Sequence, residues 1–413
     1  MTIAQPPPIL LPQAPRSEPS SALSFLYRRE SREVIFQVIL VLAIVLLFYT
    51  IISNAITNLR ARNIASGFGF LGNTAGFDIA QTLVSYSNVS TYGRAFIVGL
   101  WNTLLVAVVG IFFTTILGFL IGIARLSKNW LIAKLALSYV EIVRNCPLLL
   151  QMFLWYFAVL KQLPDPLIRE NGVVRGTSLA LPGGALLNSR GLFMPKPEWL
   201  PGAEYVGLAL VLAILATVFL ARWAKARQMA TGQPFPVGLT GFGLIVGVPL
   251  LTFLALGRPV QFDYPELGRF NLSGGMILLP ELVAVLLGLV FYTSSYIAEI
   301  VRAGIVGVAK GQTEAATAIG LTRGQALRLV IVPQAMRIII PPLTSQYLNL
   351  TKNSSLAGAI GYPDLTQVLG TVGNQTGQSV ETILMLMGVY LTISLITSGG
   401  MNWFNKRMAL VER

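Results

Sequence analysis

Residues 96–123 read Phe96-Ile-Val-Gly-Leu-Trp-Asn-Thr-Leu-Leu-Val-Ala-Val-Val-Gly-Ile-Phe-Phe-Thr-Thr-Ile-Leu-Gly-Phe-Leu-Ile-Gly-Ile123, without one charged side chain. A helix needs roughly 20 mostly apolar residues to cross the hydrocarbon of a bilayer. A water-facing helix of this length would carry a polar face, and this run carries none. The stretch therefore reads as a membrane span, and the rest of the chain is read around it.

Seven further stretches share its character: Val34–Ile52, Ile132–Leu160, Tyr205–Leu220, Val237–Leu256, Leu278–Ile297, Ile338–Leu350 and Ile383–Met401. The expected fold is all-α, a polytopic transmembrane helical bundle of about eight spans. Composition agrees. The 413 residues are 54% hydrophobic and 11% charged, against about 25% charge in soluble domains. Ile338–Leu350 is the shortest span and carries Pro341 and Pro342, so a kinked or partly re-entrant helix is expected there.

Lysine and arginine set the orientation. Clusters precede the first span (Arg28, Arg29, Arg32), separate the second and third (Arg125, Lys128, Lys134), follow the fourth (Arg222, Lys225, Arg227), follow the sixth (Lys310, Arg323, Arg328) and close the chain (Lys406, Arg407, Arg413). They fall in alternate loops, which places both termini in the cytoplasm. The net charge of +13 is then an anchor for these loops, not a nucleic-acid surface. Residues 1–27, rich in Pro, Ser and Gln, are expected to lack regular structure. The first apolar run is read as a retained helix, not a cleaved signal. Residues 161–202 hold six prolines and are expected to be irregular.

The chain has no histidine and one cysteine, Cys146. No internal disulfide can form, and the commonest metal ligand and proton shuttle is missing. No metal site, cofactor or catalytic centre is expected. No Gly-x-x-x-x-Gly-Lys-Ser/Thr phosphate loop occurs either. Any ATP hydrolysis would belong to another polypeptide.

One loop is unusual. Between the sixth and seventh spans, residues 314–333 suggest two short helices. Thr313 can cap the first, with Glu314 opening it against the helix dipole. Ala315, Ala316 and Ala318 are small enough for close approach by another surface. Gly320 ends the turn. Thr322 and Gln325 form a capping box for a second helix, which places Leu327, Val330 and Ile331 on one side. Pro333 blocks regular continuation. Caps and periodicity fit both an ordinary connector and an element gripped by a partner.

Here the sequence resembles a known family. Glu314-Ala315-Ala316, then Gly320, then Ile331 and Pro333 are similar to the "EAA" loop of ATP-binding-cassette importer permeases. Tyr296–Ile305, Lys310-Gly311-Gln312, Pro333-Gln334-Ala335 and Lys352-Asn353-Ser354-Ser355-Leu356 resemble the polar amino-acid branch. So does Tyr139–Gln151, about 170 residues upstream. The resemblance implies a type I importer permease (MetI-like) core over 96–160 and 278–405, with a coupling loop at 307–333. It implies an ATPase contact through Glu314, Ala315, Ala316, Gly320, Ile331 and Pro333. It also implies three partners: cytosolic ATPase subunits, a second permease, homologous or identical, and a periplasmic or extracellular amino-acid-binding protein.

The remaining divisions are a cytoplasmic N-terminus (1–33), a first helix with its outer loop (34–95), an insertion with two extra spans (161–277) and a cytoplasmic tail (406–413). The long form is similar to a permease of general L-amino-acid importers of the bacterial inner membrane. A self-contained secondary carrier or channel is the alternative; it would favour a repeat between the two core parts.

Individual residues follow. Glu141 with Arg144, and Glu299 with Arg302, are spaced three apart on helices and are expected to form ion pairs, either structural or gating. Pro147 is expected to bend its helix. Lys352, Asn353, Ser354 and Ser355 follow the proline-containing span and are candidate substrate-path groups. Glu281 either meets a substrate ammonium or rests at the outer interface. Gly118 and Gly122 are expected to allow close helix contact.

Overall fold

A computed structural model describes residues 29–61, 66–170, 173–267 and 272–408. The expected irregular N-terminal segment lies outside the described residues. The chain forms two units, Met1–Gly67 and Phe68–Arg413. The first contains helix α1 (Arg29–Ala61), and most of the apolar side chains described along it are exposed.

The second unit opens with a short 3-10 turn (Phe68–Gly72) and an extended loop. Helix α2 (Tyr92–Ala124) follows, capped by Thr91, whose hydroxyl accepts from the Arg94 N–H at 3.3 Å. Then come α3 (Trp130–Asn145) and α4 (Leu148–Phe153), the latter continued by a π turn and a 3-10 turn to Gln162. The insertion contributes strands β1 (Leu167–Glu170), β2 (Val173–Gly176), β3 (Leu179–Leu181), β4 (Ala185–Asn188), β5 (Gly191–Met194) and β6 (Lys196–Trp199). Helices α5 (Ala203–Thr231) and α6 (Val237–Ala255) come next, then β7 (Val260–Asp263), β8 (Glu266–Leu267), β9 (Leu272–Ser273) and β10 (Met276–Leu278). The last part comprises α7 (Pro280–Val306), α8 (Lys310–Ala318), α9 (Arg323–Ala326), α10 (Val332–Asn353), α11 (Leu365–Thr376) and α12 (Ser379–Met408).

Among the described residues, seven single helices are long and apolar enough to cross a membrane, and the bent pair α3–α4 makes an eighth when it is counted as one span. All eight expected spans are present. Their ends extend beyond the purely apolar runs because helix continues into the polar flanks.

Two expectations are corrected and a third is refined. The insertion is not irregular. Its strands form an antiparallel sheet in the order β10-β5-β4-β3, and β6 pairs with β7. The prolines sit where they cost little. Pro164 and Pro166 precede β1, Pro182 enters the β3–β4 turn, Pro195 separates β5 from β6, Pro201 follows β6, and Pro197 lies in the two-stranded β6–β7 pair. Second, α10 is not broken. It runs unbroken through Pro341 and Pro342. Third, helix continues past Pro333, although the π turn before it interrupts the regular α-helical ladder. Pro333 occupies the first turn of α10, and the π turn Leu327–Ile331 joins that turn to α9. Proline has no N–H to donate to the preceding turn and crowds the carbonyl four residues back, and the π turn is where the helical ladder widens around it.

The core centres on α7, against which α2, α3, α4 and α10 all pack. The α2–α7 contact is set by glycine. A Cβ on Gly118 would stand 2.5 Å from Ile297 Cγ2, and one on Gly122 would stand 2.8 Å from the Ala298 carbonyl oxygen. With no hydrophobic drive between helices in lipid, such backbone approach supplies the dispersion contact that holds them. The same two α7 side chains, Ile297 and Val301, also meet Ala335, Ile339 and Leu343 of α10, and all five are buried.

Gly118→Val is expected to disrupt this contact. Overpacking a close interface costs about 1–3 kcal/mol, so thermal unfolding in detergent should shift down clearly. Gly243→Ala, where an added Cβ meets nothing within 4 Å, should not lower the midpoint, since alanine is the better helix former.

Candidate functional site

The loop after α7 is a two-armed helical hairpin. Its first arm, α8, begins at Lys310 after Ala309, not at Glu314 after Thr313. Thr313 lies inside the helix and its carbonyl accepts from the Thr317 hydroxyl at 2.8 Å. The earlier start has a tether: Gln334 Nε2 on α10 donates to Gln312 Oε1 at 2.9 Å.

The tip is closed as the sequence suggests. Gly320 takes φ +80°, where a Cβ would be strained. Its N–H donates to the Thr317 carbonyl at 3.0 Å, and the Leu321 N–H donates to the Ala316 carbonyl at 3.1 Å. These two bonds form a Schellman cap. Thr322 and Gln325 then form both halves of a capping box. Ala316 and Ala326 are buried, at 3% and 4% exposure, one in each arm. Glu314, Ala315 and Gly320 are exposed, and Ile319 stands at 76% exposure at the tip. Ile331 and Pro333 are half-buried at the base. The hairpin thus has a bonded frame and an open face carrying a carboxylate, small side chains and one large apolar side chain.

The hairpin is rooted in α7 and α10. Near the end of α7, Glu299 is gripped twice. Arg302 donates to Oε1 through Nη2 at 2.6 Å, and Arg125, at the end of α2, pairs with Oε2. The 299–302 pair was legible from spacing; Arg125 was not, being 174 residues away in sequence. The Glu141–Arg144 pair does not form. Glu141 is exposed, and Arg144 lays its guanidinium 4.9 Å from the centroid of the Tyr296 ring on α7. The neighbouring aromatic face competes successfully for a cation on an exposed turn.

Pro147 does bend its span. α3 and α4 meet at 105°. Gln151 repairs the break: its Nε2 donates to the carbonyls of Val143 at 2.8 Å and Cys146 at 2.9 Å. Glu281 is satisfied internally, accepting from the Tyr156 hydroxyl at 2.6 Å with Lys161 Nζ at 4.0 Å.

The four residues Lys352–Ser355, which straddle the end of α10, do not converge on one point. Lys352 is exposed and Asn353 half-buried. The Ser354 hydroxyl donates to the Thr351 carbonyl at 2.7 Å, and that of Ser355 to the Lys352 carbonyl at 2.8 Å. Ser355 alone of the four lines a cleft of about 430 Å³, with Thr366, Gln367, Thr371 and Asn374.

Beside this cleft lies a buried polar knot that sequence reading missed. Asn102 Nδ2 donates to the carbonyls of Gln81 and Pro363, both at 2.9 Å. Thr103 Oγ1 accepts from the Leu365 N–H at 3.0 Å. Asp364, fully buried, caps α11 by accepting from the Gln367 N–H at 2.9 Å. Burial pushes its carboxyl up to about 6, against the opposing pull of the N–H bonds. The signal was present as Asp364 two residues after an aromatic and one before a helix, but its partners come from α2.

Comparison with known proteins places these features in a family. The family model described as "Binding-protein-dependent transport system inner membrane component" matches residues 114–410. The chain is 55% identical over 390 residues to "General L-amino acid transport system permease protein AapQ" of Rhizobium johnstonii, covering 94% of this chain and 95% of that one. It is 50% identical to "Putative amino-acid ABC transporter permease protein YhdX" of Escherichia coli, covering 96% and 99%. It is 41% identical to "Glutamate/glutamine/aspartate/asparagine transport system permease protein BztB" of Rhodobacter capsulatus, covering 94% and 96%. The chain belongs to the family of inner-membrane permease components of binding-protein-dependent transport systems.

Asp364 gives a pH test. Its carboxyl lies near 3.8 when free and about 6 when folded. The unfolded chain therefore loses the proton first, and folded stability falls as pH rises from about 4 to about 6. Asp364→Asn keeps a cap oxygen without the charge. It should unfold at a higher temperature than the parent at pH 8, by an amount on the order of 2 kcal/mol, and the gap should close at pH 4. An equal gap at both values would remove the buried charge as its cause.

Proposed function

We propose that this chain is the permease subunit of an ATP-driven importer that carries polar L-amino acids across the bacterial inner membrane. The observation that carries the reading is the hairpin of 310–331. It has a double-capped frame, an open face, a base tied to α10 through Gln312–Gln334, and a root on α7 that the Glu299 cluster ties to α2. A rigid handle rooted in two spans is what a soluble motor needs to move those spans. With no phosphate loop in the sequence, the motor is a separate ATPase, docking on Glu314, Ala315, Gly320 and the tip around Ile319, with Ala316 packed beneath that face.

Both termini and the hairpin then lie in the cytoplasm, in keeping with the alternate clustering of Lys and Arg. A second permease, homologous to this one, completes the pathway. An extracytoplasmic binding protein delivers the amino acid at the opposite end. Nucleotide drives the cycle by binding one arrangement of the assembly better than the other. The Arg125–Glu299–Arg302 cluster serves as a brace, transmitting motion of the handle to α2. Ser355 with Thr366 and Asn374 lies on the substrate path, near enough to Lys352, Asn353 and Ser354 for rearrangement of the α10 end to bring them in. The segment 161–277 is an addition to the permease core.

Gly320→Val tests the handle. A β-branched side chain at φ +80° costs about 1–2 kcal/mol locally, strains the tip and leaves the spans untouched. In proteoliposomes holding the whole assembly, ATP-driven uptake of amino acid should fall at least severalfold while membrane insertion and helix content stay as in the parent. Uptake by this chain alone, without ATPase, would overturn the assignment in favour of a self-contained carrier.

A further inference from the structure

At the hairpin end of the α2–α7 pair lies a cleft of about 330 Å³, lined by Arg125, Trp130, Ala133, Lys134, Leu137 and Arg302. Its charge is unbalanced. Glu299 is shared by Arg125 and Arg302. Lys134 is exposed and has no ion-pair partner among the described residues. Three cations thus face one carboxylate.

Its position is equally informative. Arg125 caps the end of α2 and Asn129 caps the start of α3. The cleft therefore sits where two spans turn, at headgroup level. Trp130 is 74% exposed, one helical turn before Lys134, with Leu131 and Leu135 exposed at 55% and 62% beside it. An exposed indole at a span end belongs to the interfacial belt. Basic clefts between spans, with apolar flanks for acyl chains, suit anionic lipid headgroups.

We propose that this cleft is a binding site for the phosphodiester headgroup of an anionic phospholipid. Lys134 and the outer faces of Arg125 and Arg302 hold the phosphate, and Trp130 and Leu131 hold the upper acyl chains. The bound headgroup neutralises the excess charge around Glu299. It stiffens the foot of the α2–α7 pair, from which the hairpin projects. The cleft lies in the cytoplasmic leaflet if the orientation proposed above holds, but binding itself does not depend on that reading.

The test is native mass spectrometry of the purified full chain, titrated separately with phosphatidylglycerol, phosphatidylethanolamine and inorganic phosphate. The parent should retain phosphatidylglycerol in preference to phosphatidylethanolamine, and inorganic phosphate should not displace it. Lys134→Gln should weaken phosphatidylglycerol retention about fivefold. Lys225→Gln, an exposed lysine on α5 outside the cleft, should not. Trp130→Ala keeps every charge and serves if Lys134→Gln fails to fold; it should also lose retention. Absence of lipid preference in the parent, equal loss in Lys225→Gln, undiminished retention in both cleft variants, or phosphate adducts in place of lipid would each overturn the site. None of these readouts uses transport, so failure of the lipid site and failure of the importer reading are separable.

Discussion

The contact between α2 and α7 is the constraint on which the rest of the second unit depends. Gly118 and Gly122 remove the side chains that would otherwise hold the two helices apart, and Ile297 and Val301 fill the space. In lipid there is no hydrophobic gain from bringing helices together, so packing at this range has to supply the attraction. At the end of that contact, Arg125 reaches from one helix to Glu299 on the other. A charge pair so near a span end is costly unless well satisfied, and Arg302 completes the satisfaction. The hairpin starts one turn beyond α7, so its root inherits the rigidity of this joint.

A second theme is how the structure handles carbonyls freed by proline. At Pro147 the helix ends, the chain turns by 105°, and the Gln151 amide takes up the carbonyls of Val143 and Cys146. At Pro333 the chain instead widens into a π turn and continues. Pro341 and Pro342 are absorbed within a continuous helix. Three outcomes follow from one residue type, and the difference lies in the neighbours. Hydrocarbon offers no water to a freed carbonyl, so each site needs a local remedy.

These remedies explain what was legible in the sequence. Every span was readable, because apolar length is a local property. The tip of the hairpin was readable too, since Gly320, Thr322 and Gln325 act within a few residues of one another. The start of α8 was misread because its tether, Gln334, lies on another helix. Arg144 was assigned to Glu141 by spacing, whereas Tyr296, far along the chain, holds it. The buried knot around Asp364 escaped for the same reason: Asn102 and Thr103 come from α2. The strands of 167–199 and 260–278 were hidden by prolines that occupy turns and a two-stranded pair.

The pairing of β6 with β7 has a topological corollary. Trp199 stands opposite Val260 in the ladder, so the chain leaves and re-enters at one place. Everything between them, including both long helices α5 and α6, is a closed excursion whose two ends are neighbours. Such an excursion can be lengthened, shortened or exchanged without altering the path of the chain on either side. The architecture thereby makes this appendage topologically independent of the bundle that bears it.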